Sequence, residues 1–160
     1  MLRSGLLIAL IVVIADQLSK YLLIDFMAAR SFRPLEIASI FDLVMVWNKG
    51  ASFGLFASDS AIVRWLFVAL SVAVSIGLGI WLKRSEGWWM AVALGLVIGG
   101  AVGNAIDRVA RGMVADFFSF HVDVYYWPAF NVADMAIVGG VGVLLFDSLF
   151  LGEKSPNKEP

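Results

Sequence analysis

Four long apolar stretches, separated by more polar segments, dominate the pattern of residues along the chain. A helix needs about 20 mostly apolar residues to cross the hydrocarbon core of a bilayer, and each stretch is long enough. We therefore predict four transmembrane helices. Their approximate bounds are residues 5–27, 61–82, 88–106 and 133–151.

The first stretch has a second interpretation, a cleaved secretory signal peptide, because Arg3 precedes an apolar run. The apolar character resumes after Lys20, however, and no small-residue cleavage pattern ends the run. A retained span is favoured.

The lengths of the connections predict how the spans are arranged. Residues 83–87 form a short connection, so the second and third spans should make a tight helical hairpin. The connections at about 28–60 and 107–132 are long and should lie together on the opposite membrane face. Four spans place both termini on one side, but Lys and Arg residues occur on both faces, so the positive-inside rule does not choose the orientation.

The region at about 36–58 mixes β-branched and aromatic residues with glycines. Its segment "LVMVW" is typical of a strand, and "NKGASFG" of a turn into another strand. We predict an all-α membrane domain over residues 1–151, with four transmembrane helices and a small β structure at the membrane surface. The polar residues 152–160 are predicted to be disordered.

Composition supports the membrane class and limits the chemistry. The chain is 61% hydrophobic and 16% charged, whereas soluble domains are about half apolar and a quarter charged. A net charge of −1 gives no basic field for nucleic acid. The absence of cysteine excludes thiol chemistry, and a single histidine argues against zinc, although carboxylate-bound Mg²⁺ stays open. No cofactor is predicted.

Charged residues near the spans are expensive in a bilayer and usually mark paired or functional sites. Asp16 and Lys20 are four residues apart on one helix face, as in an ion pair. The pair either pins the first helix to its neighbours or lies near an active site, and the two interpretations are compatible.

The third span ends in three polar residues, Asn104, Asp107 and Arg108. They are either a polar helix end, with Arg108 reaching to the interface, or part of a site.

The tripeptide Val-Ala-Asp occurs twice, ending at Asp116 and at Asp134. Asn131 is placed to cap the fourth helix, and Asp134 falls at the third helical position, where a carboxylate suits the helix dipole. Asp116 has no such capping position and lies among apolar residues. If the two aspartates meet, they share one proton, and the pair can hydrolyse a peptide bond with water as the nucleophile.

Five short motifs occur in order along the four predicted spans. They are "DQLSK" (16–20), "NKGASFG" (48–54), "GGAVGNAIDR" (99–108), "VADFF" (114–118) and "PAFNVAD" (128–134). With these motifs the chain resembles lipoprotein signal peptidase, the bacterial signal peptidase II, an intramembrane aspartic peptidase. The resemblance runs from residue 16 to about residue 147.

The resemblance implies that Asp116 and Asp134 are the catalytic pair. It also implies a supporting set around them, which consists of Asp16, Lys20, Asn48, Gly50, Asn104, Asp107, Arg108 and Asn131. The implied substrate is a prolipoprotein that carries diacylglycerol and is cut just before its lipidated cysteine. We add the hypothesis that Asn104 and Asn131 bond backbone groups of the unwound substrate.

The resemblance further implies a monomeric multi-pass protein of the bacterial inner membrane, in contact with membrane lipid. Its termini would be cytoplasmic and its small β cradle extracytoplasmic.

Two other functions remain as alternatives. A proton-coupled transporter predicts a polar path through the whole bilayer. A non-enzymatic membrane scaffold predicts that the acids serve only as caps and ion partners.

Overall fold

A computed structural model describes residues 1–50, 58 and 60–151 of the chain. Within this part, four helices are long and apolar enough to cross a membrane, which confirms the four predicted spans. The fourth span ends in a π-helical segment, Asp147–Leu151. The helices are α1 (Leu2–Ala29), α2 (Ala61–Arg84), α3 (Trp88–Arg111) and α4 (Val132–Phe146). The predicted disordered tail, 152–160, lies outside the described residues.

The helix ends follow ordinary capping chemistry. The Ser60 hydroxyl accepts a hydrogen bond from the Ile62 backbone amide and so begins α2. Gly112 ends α3 at a positive φ of 82°, a left-handed conformation that glycine adopts without steric cost. Residues 85–87 join α2 to α3, which is the short hairpin connection that the sequence predicts.

α3 is the central helix of the bundle. In its most apolar stretch of 18 residues, 61% of the residues are buried, whereas the share in the other three spans is 22% or less. Small residues make this possible: a methyl group at Gly99 would lie 2.7 Å from the Ala9 carbonyl of α1, and one at Gly100 would meet the Ala133 carbonyl of α4. The glycines near the end of the third span therefore bring the backbones of α1 and α4 against α3.

An antiparallel sheet of four strands lies beyond one end of the bundle. The strands, in sheet order, are β1 (Leu35–Ala38), β2 (Phe41–Asn48), β3 (Val114–Val122) and β4 (Tyr125–Tyr126). The predicted strand "LVMVW" lies in β2. The turn predicted in "NKGASFG" continues into residues 51–57, which lie outside the described residues, so the strand expected after it is not described either. The sheet is larger than predicted, because β3 and β4 come from the second long connection.

The sheet is attached to the bundle through a small apolar cluster. Met27 at the end of α1 packs with Leu43 of β2 and with Ala115 and Phe117 of β3, and all four are buried. Because side chains alternate along a strand, Asp116 points to the other face of β3 from Ala115 and Phe117. The cluster thus fixes which face of β3 carries the carboxylate.

Candidate active site

Asp116 is held by the neighbouring strand of the sheet. Val46 of β2 is opposite Asp116, so Asn48, two residues further along, lies on the same face. Its side-chain amide Nδ2 donates to Asp116 Oδ2 at 3.0 Å. Asp116 is only 1% exposed. The sheet register therefore places a buried carboxylate within reach of an amide donor.

Asn131 joins Asp116 to Asp134. Phe130 pairs with Phe118 through backbone hydrogen bonds, which brings the start of α4 alongside β3. The Asn131 side-chain amide donates to Asp116 Oδ1 at 2.7 Å. The same residue forms a capping box with Asp134. Asn131 Oδ1 accepts from the Asp134 backbone amide at 3.0 Å, and the Asn131 backbone amide donates to Asp134 Oδ2 at 3.2 Å. Asp134 is thus both a helix-cap residue and a neighbour of Asp116.

Asn104 of α3 holds the second carboxylate. Its Nδ2 donates to Asp134 Oδ1 at 2.8 Å. Its Oδ1 accepts from Lys20 Nζ and from Asn131 Nδ2, both at 3.2 Å. Both of these partners are donors, so the side-chain oxygen of Asn104 must face them. The side-chain nitrogen of Asn104 therefore faces Asp134.

A fully buried ion network lies beneath the two aspartates. Lys20 Nζ is 2.8 Å from Asp16 Oδ2 and 2.8 Å from Asp107 Oδ2, and all three side chains are 0% exposed. Asp16 Oδ1 also accepts from the Ala133 backbone amide at 3.0 Å. The network therefore ties α1 to α3 and to the first turn of α4, as the pinning interpretation of Asp16 and Lys20 predicts.

Two members of this network were not singled out from the sequence. Gln17 Nε2 donates to Asp16 Oδ2 at 3.0 Å and to the Gly103 carbonyl at 3.2 Å. Arg111 pairs with Asp107 at 2.5 Å. The i, i+4 spacing of Asp107 and Arg111 on a predicted helix is the sequence pattern that could have predicted this ion pair.

Arg108 lies inside the protein, so the interpretation of a side chain that reaches to the membrane interface is wrong. Its side chain is 9% exposed, and its Nη2 donates to the Gly50 carbonyl at 2.8 Å. The guanidinium lies over the Phe67 ring of α2 at 4.9 Å. The Gly50 amide in turn donates to Asn48 Oδ1 at 3.0 Å. Arg108 thus holds the turn that orients the amide facing Asp116.

The environment of Asp116 favours its protonated form. Burial away from water, and secondly the negative charge of Asp134, raise the pKa of Asp116 from 3.8 to about 7. Hydrogen bonds from Asn48 and Asn131 act in the opposite direction but do not cancel the rise. The pair can therefore retain a proton near neutral pH.

A cavity of about 250 Å³ opens beside Asp134 and beside Asn48, which bonds Asp116. α3 and α4 and the end of β2 supply polar groups, and α2 supplies an apolar wall. The polar groups belong to Asn48, Asn104, Arg108 and Asp134, and the wall includes Phe67, Leu70 and Val74. A substrate in this cavity would meet Asp134 directly.

The remaining acidic and imidazole groups of the β3–β4 region lie elsewhere. Asp123 is exposed in the turn after β3. His121 Nε2 is 3.5 Å from Asp42 Oδ2, and its ring stacks on Tyr126. Neither belongs to the pair. Among the described residues, no group of three or more His, Asp or Glu side chains is arranged to hold a metal ion.

The chain is similar to known proteins over nearly its whole length. A family model described as signal peptidase (SPase) II matches residues 8–150. A lipoprotein signal peptidase of Methylorubrum extorquens (strain PA1) is 45% identical over 98% of this chain and 92% of its own length. Another, of Methylobacterium radiotolerans, is 48% identical over 92% of this chain and 86% of its own length. A solved structure described as a bacterial membrane enzyme superposes with a TM-score of 0.78 at 28% identity, covering 98% of this chain and 93% of that one.

Proposed function

The chain belongs to the signal peptidase II family, a peptidase family that removes the signal peptides of bacterial prolipoproteins, and we propose that it does so with Asp116 and Asp134 as its catalytic pair. One observation carries the proposal: Asn131 bonds Asp116 through its side chain and Asp134 through its backbone amide. Two carboxylates held by one residue beside a cavity have the arrangement that an aspartic peptidase requires.

The reaction needs one proton shared between the two aspartates. The ionised carboxylate takes a proton from a water molecule, and the water oxygen attacks the scissile carbonyl carbon. The protonated carboxyl gives its proton to the carbonyl oxygen, so a tetrahedral diol forms. The diol then returns a proton to the leaving nitrogen, the C–N bond breaks, and an acid and an amine result. The titration belongs to the pair, so neither aspartate has a fixed role as acid or base.

The eight supporting residues hold this pair in position. Asn48, Asn104 and Asn131 donate to the two carboxylates directly. Gly50 and Arg108 hold the turn that carries Asn48, while Asp16, Lys20 and Asp107 form the buried network below Asn104. Buried polar networks in which every member is bonded keep a site rigid, which favours catalysis by preorganised groups.

The structure limits one part of the sequence-based hypothesis. Asn131 is fully buried, and its side-chain amide donates to Asn104, Asp116 and the Ala115 carbonyl. It therefore has no group available for the unwound substrate backbone, and that role does not hold for Asn131. Asn104 lines the cavity and keeps the role as a proposal.

The cavity has access from the membrane plane. α2 and α4 both pack along α3, but in the described part of the chain no extensive contact joins α2 to α4. A substrate that carries diacylglycerol moves in the membrane plane, so we propose that it enters between these two helices. Cleavage just before the lipidated cysteine would then place the scissile bond against Asp134.

The finer placement of the protein is also a proposal. The protein is a bacterial membrane protein with four spanning helices. We propose the inner membrane as its location, with both termini cytoplasmic and the sheet and catalytic pair toward the extracytoplasmic leaflet. A monomer suffices because all residues of the site come from one chain.

Cleavage of a diacylglyceryl-modified prolipoprotein by the purified protein in detergent tests this function. Asp116→Asn and Asp134→Asn should each lower the rate by about 100-fold or more, the usual contribution of general acid–base groups. Asp123→Asn is the matched control, because it makes the same change at an exposed aspartate on the same hairpin and should leave the rate unchanged. An unlipidated substrate should be cut poorly.

The outcomes separate the three functions. Near-normal cleavage by a folded Asp116→Asn or Asp134→Asn variant would remove that residue from the catalytic pair. If only stability changes, the acids are caps and ion partners, as in the scaffold alternative. Loss of activity with a chelator would point to metal-dependent hydrolysis instead. Proton-coupled uptake by vesicles that contain the protein would favour the transporter.

A further inference from the structure

A second polar cavity, of about 220 Å³, lies at the same end of the bundle as the sheet. It is formed where α2 begins and α3 ends, and Lys49, the first residue after β2, also lines it. The described residues that line it are all different from those that line the catalytic cavity. Basic and hydroxyl side chains line it, among them Lys49, Ser58, Ser60, Arg64 and Arg111.

Arg64, in the first turn of α2, is the unusual member of this lining. Its Nε atom is buried and has no hydrogen-bond partner in the described part of the protein. Its guanidinium lies over the Trp65 ring at 5.4 Å and against Gly112, where an added methyl group would be 3.1 Å from Arg64 Nη1. Arginine stays charged at all physiological pH values, so a buried guanidinium nitrogen without an acceptor is costly.

None of the ion pairs between described residues near the cavity includes Arg64. Arg111 pairs with Asp107, and Lys20 pairs with both Asp16 and Asp107, so these two cations and two carboxylates balance one another. No carboxylate is present among the described residues that line the cavity. An external anion would supply an acceptor for Arg64 Nε, which has none among the described residues.

We propose that this cavity binds the phosphate of an anionic phospholipid headgroup. Its lining joins the ends of two membrane-spanning helices, where headgroups lie, and basic pockets between such helices bind lipid phosphates. The planar guanidinium of Arg64 suits a phosphate, and the α2 N-terminus beside it favours negative charge.

The position of Lys49 gives this site a consequence for the catalytic cavity. Lys49 lines the basic cavity, while Asn48 and Gly50 on either side of it bond Asp116 and Arg108. A headgroup bound there contacts the segment that holds the Asn48 amide. The lipid site does not depend on the proposed peptidase mechanism, since it is recognised from Arg64 and its surroundings alone.

Native mass spectrometry of the full chain in detergent, titrated with phosphatidylglycerol or with diacylglycerol, tests the site. Diacylglycerol has the same acyl chains without the phosphate. We expect phosphatidylglycerol to bind more tightly, and Arg64→Gln to weaken it by about fivefold or more, the effect of one basic contact with an anionic lipid. Arg84→Gln is the matched control, an exposed arginine at the other end of α2 that should bind lipid as the wild type does.

The remaining outcomes identify the anion. Excess inorganic phosphate that displaces phosphatidylglycerol would support recognition of the phosphate itself. Binding of inorganic phosphate without binding of the lipid would overturn the lipid assignment. Equal weakening by Arg64→Gln and Arg84→Gln would show diffuse attraction instead of a site.

Discussion

At the scale of single residues, Asn131 determines the relative position of the two aspartates. Its side chain reaches Asp116 of β3, and its backbone amide reaches Asp134 of α4. An alanine at this position would remove a donor from Asp116 and the side-chain oxygen that caps α4, while its backbone amide could still donate to Asp134. Because one residue serves both aspartates, its effects on catalysis and on stability cannot be separated by a single substitution.

The raised pKa of Asp116 makes a prediction about stability. A carboxyl whose pKa rises on folding, here from 3.8 to about 7, binds its proton more tightly in the folded state. The free energy of unfolding therefore falls as the pH rises from about 4 to 7, and above pH 7 the loss amounts to roughly a few kcal/mol. We expect Asp116→Asn to remove much of this pH dependence and to unfold at a higher temperature than the wild type at pH 8.

Thermal unfolding in detergent, followed by tryptophan fluorescence at pH 5 and pH 8, measures this effect. Asp123→Asn serves as the control and should keep the pH dependence of the wild type, since Asp123 is exposed. An Asp116→Asn variant that is less stable than the wild type at pH 8 would contradict the prediction, because the carboxylate would then be a net stabiliser.

Lys20 carries the second prediction at this scale. Lys20→Met would leave Asp16 and Asp107 buried with one counter-ion fewer, and breaking such a pair costs about 3–5 kcal/mol. It would also remove a donor that orients the Asn104 amide. We expect a large fall in unfolding temperature and in cleavage rate, whereas Lys83→Met, at an exposed position on α2, should change neither. A Lys20→Met variant with normal stability would show that the network is not a structural tie.

The helices illustrate how small residues act at the scale of elements. Five glycines of α3 and α4 would each bring an added methyl group within 2.7 Å of a neighbouring element. Four glycines of α2 and α4 would meet nothing within 4 Å if they carried one, namely Gly77, Gly79, Gly139 and Gly142. The same residue type therefore has a packing role on one helix face and none on another.

This contrast predicts opposite effects for one chemical change. In Gly103→Ala, the new methyl group would lie 2.6 Å from Asp16 Oδ2, so it should displace the carboxylate from Lys20 and lower both stability and activity. In Gly79→Ala, nothing is displaced, and the better helix former should leave the unfolding temperature unchanged or slightly higher. Unfolding curves and cleavage rates of the two variants provide the comparison. Equal behaviour would show that the α1–α3 contact is loose.

The orientation of the whole molecule in the membrane can be tested because the chain has no cysteine. Val124 is 80% exposed at the sheet end, and Glu86 is exposed in the hairpin at the other end. We expect Val124→Cys to react with a membrane-impermeant thiol reagent in intact spheroplasts and Glu86→Cys to react only after lysis. The reverse pattern would place the sheet and the proposed catalytic pair on the cytoplasmic side.

The amino-acid sequence by itself determined the spans, their hairpin connection, the strand in β2 and the candidate residues of the site. Long apolar runs and local motifs are enough for these features, because membrane helices satisfy their hydrogen bonds within themselves. The resemblance to signal peptidase II was likewise readable from the five motifs and agrees with the family model.

Only the tertiary structure decided which groups meet. Strand β3 is recognisable as a partner of β2 only through pairing with residues about 70 positions earlier in the chain. Asn48 reaches Asp116, and Asp16 reaches the Ala133 amide, through contacts between distant segments. Of the two interpretations of Arg108 that the sequence left open, the structure excludes a side chain that reaches to the membrane interface, because Arg108 is buried against Gly50 and Phe67. Such contacts depend on packing in three dimensions, which local periodicity does not encode.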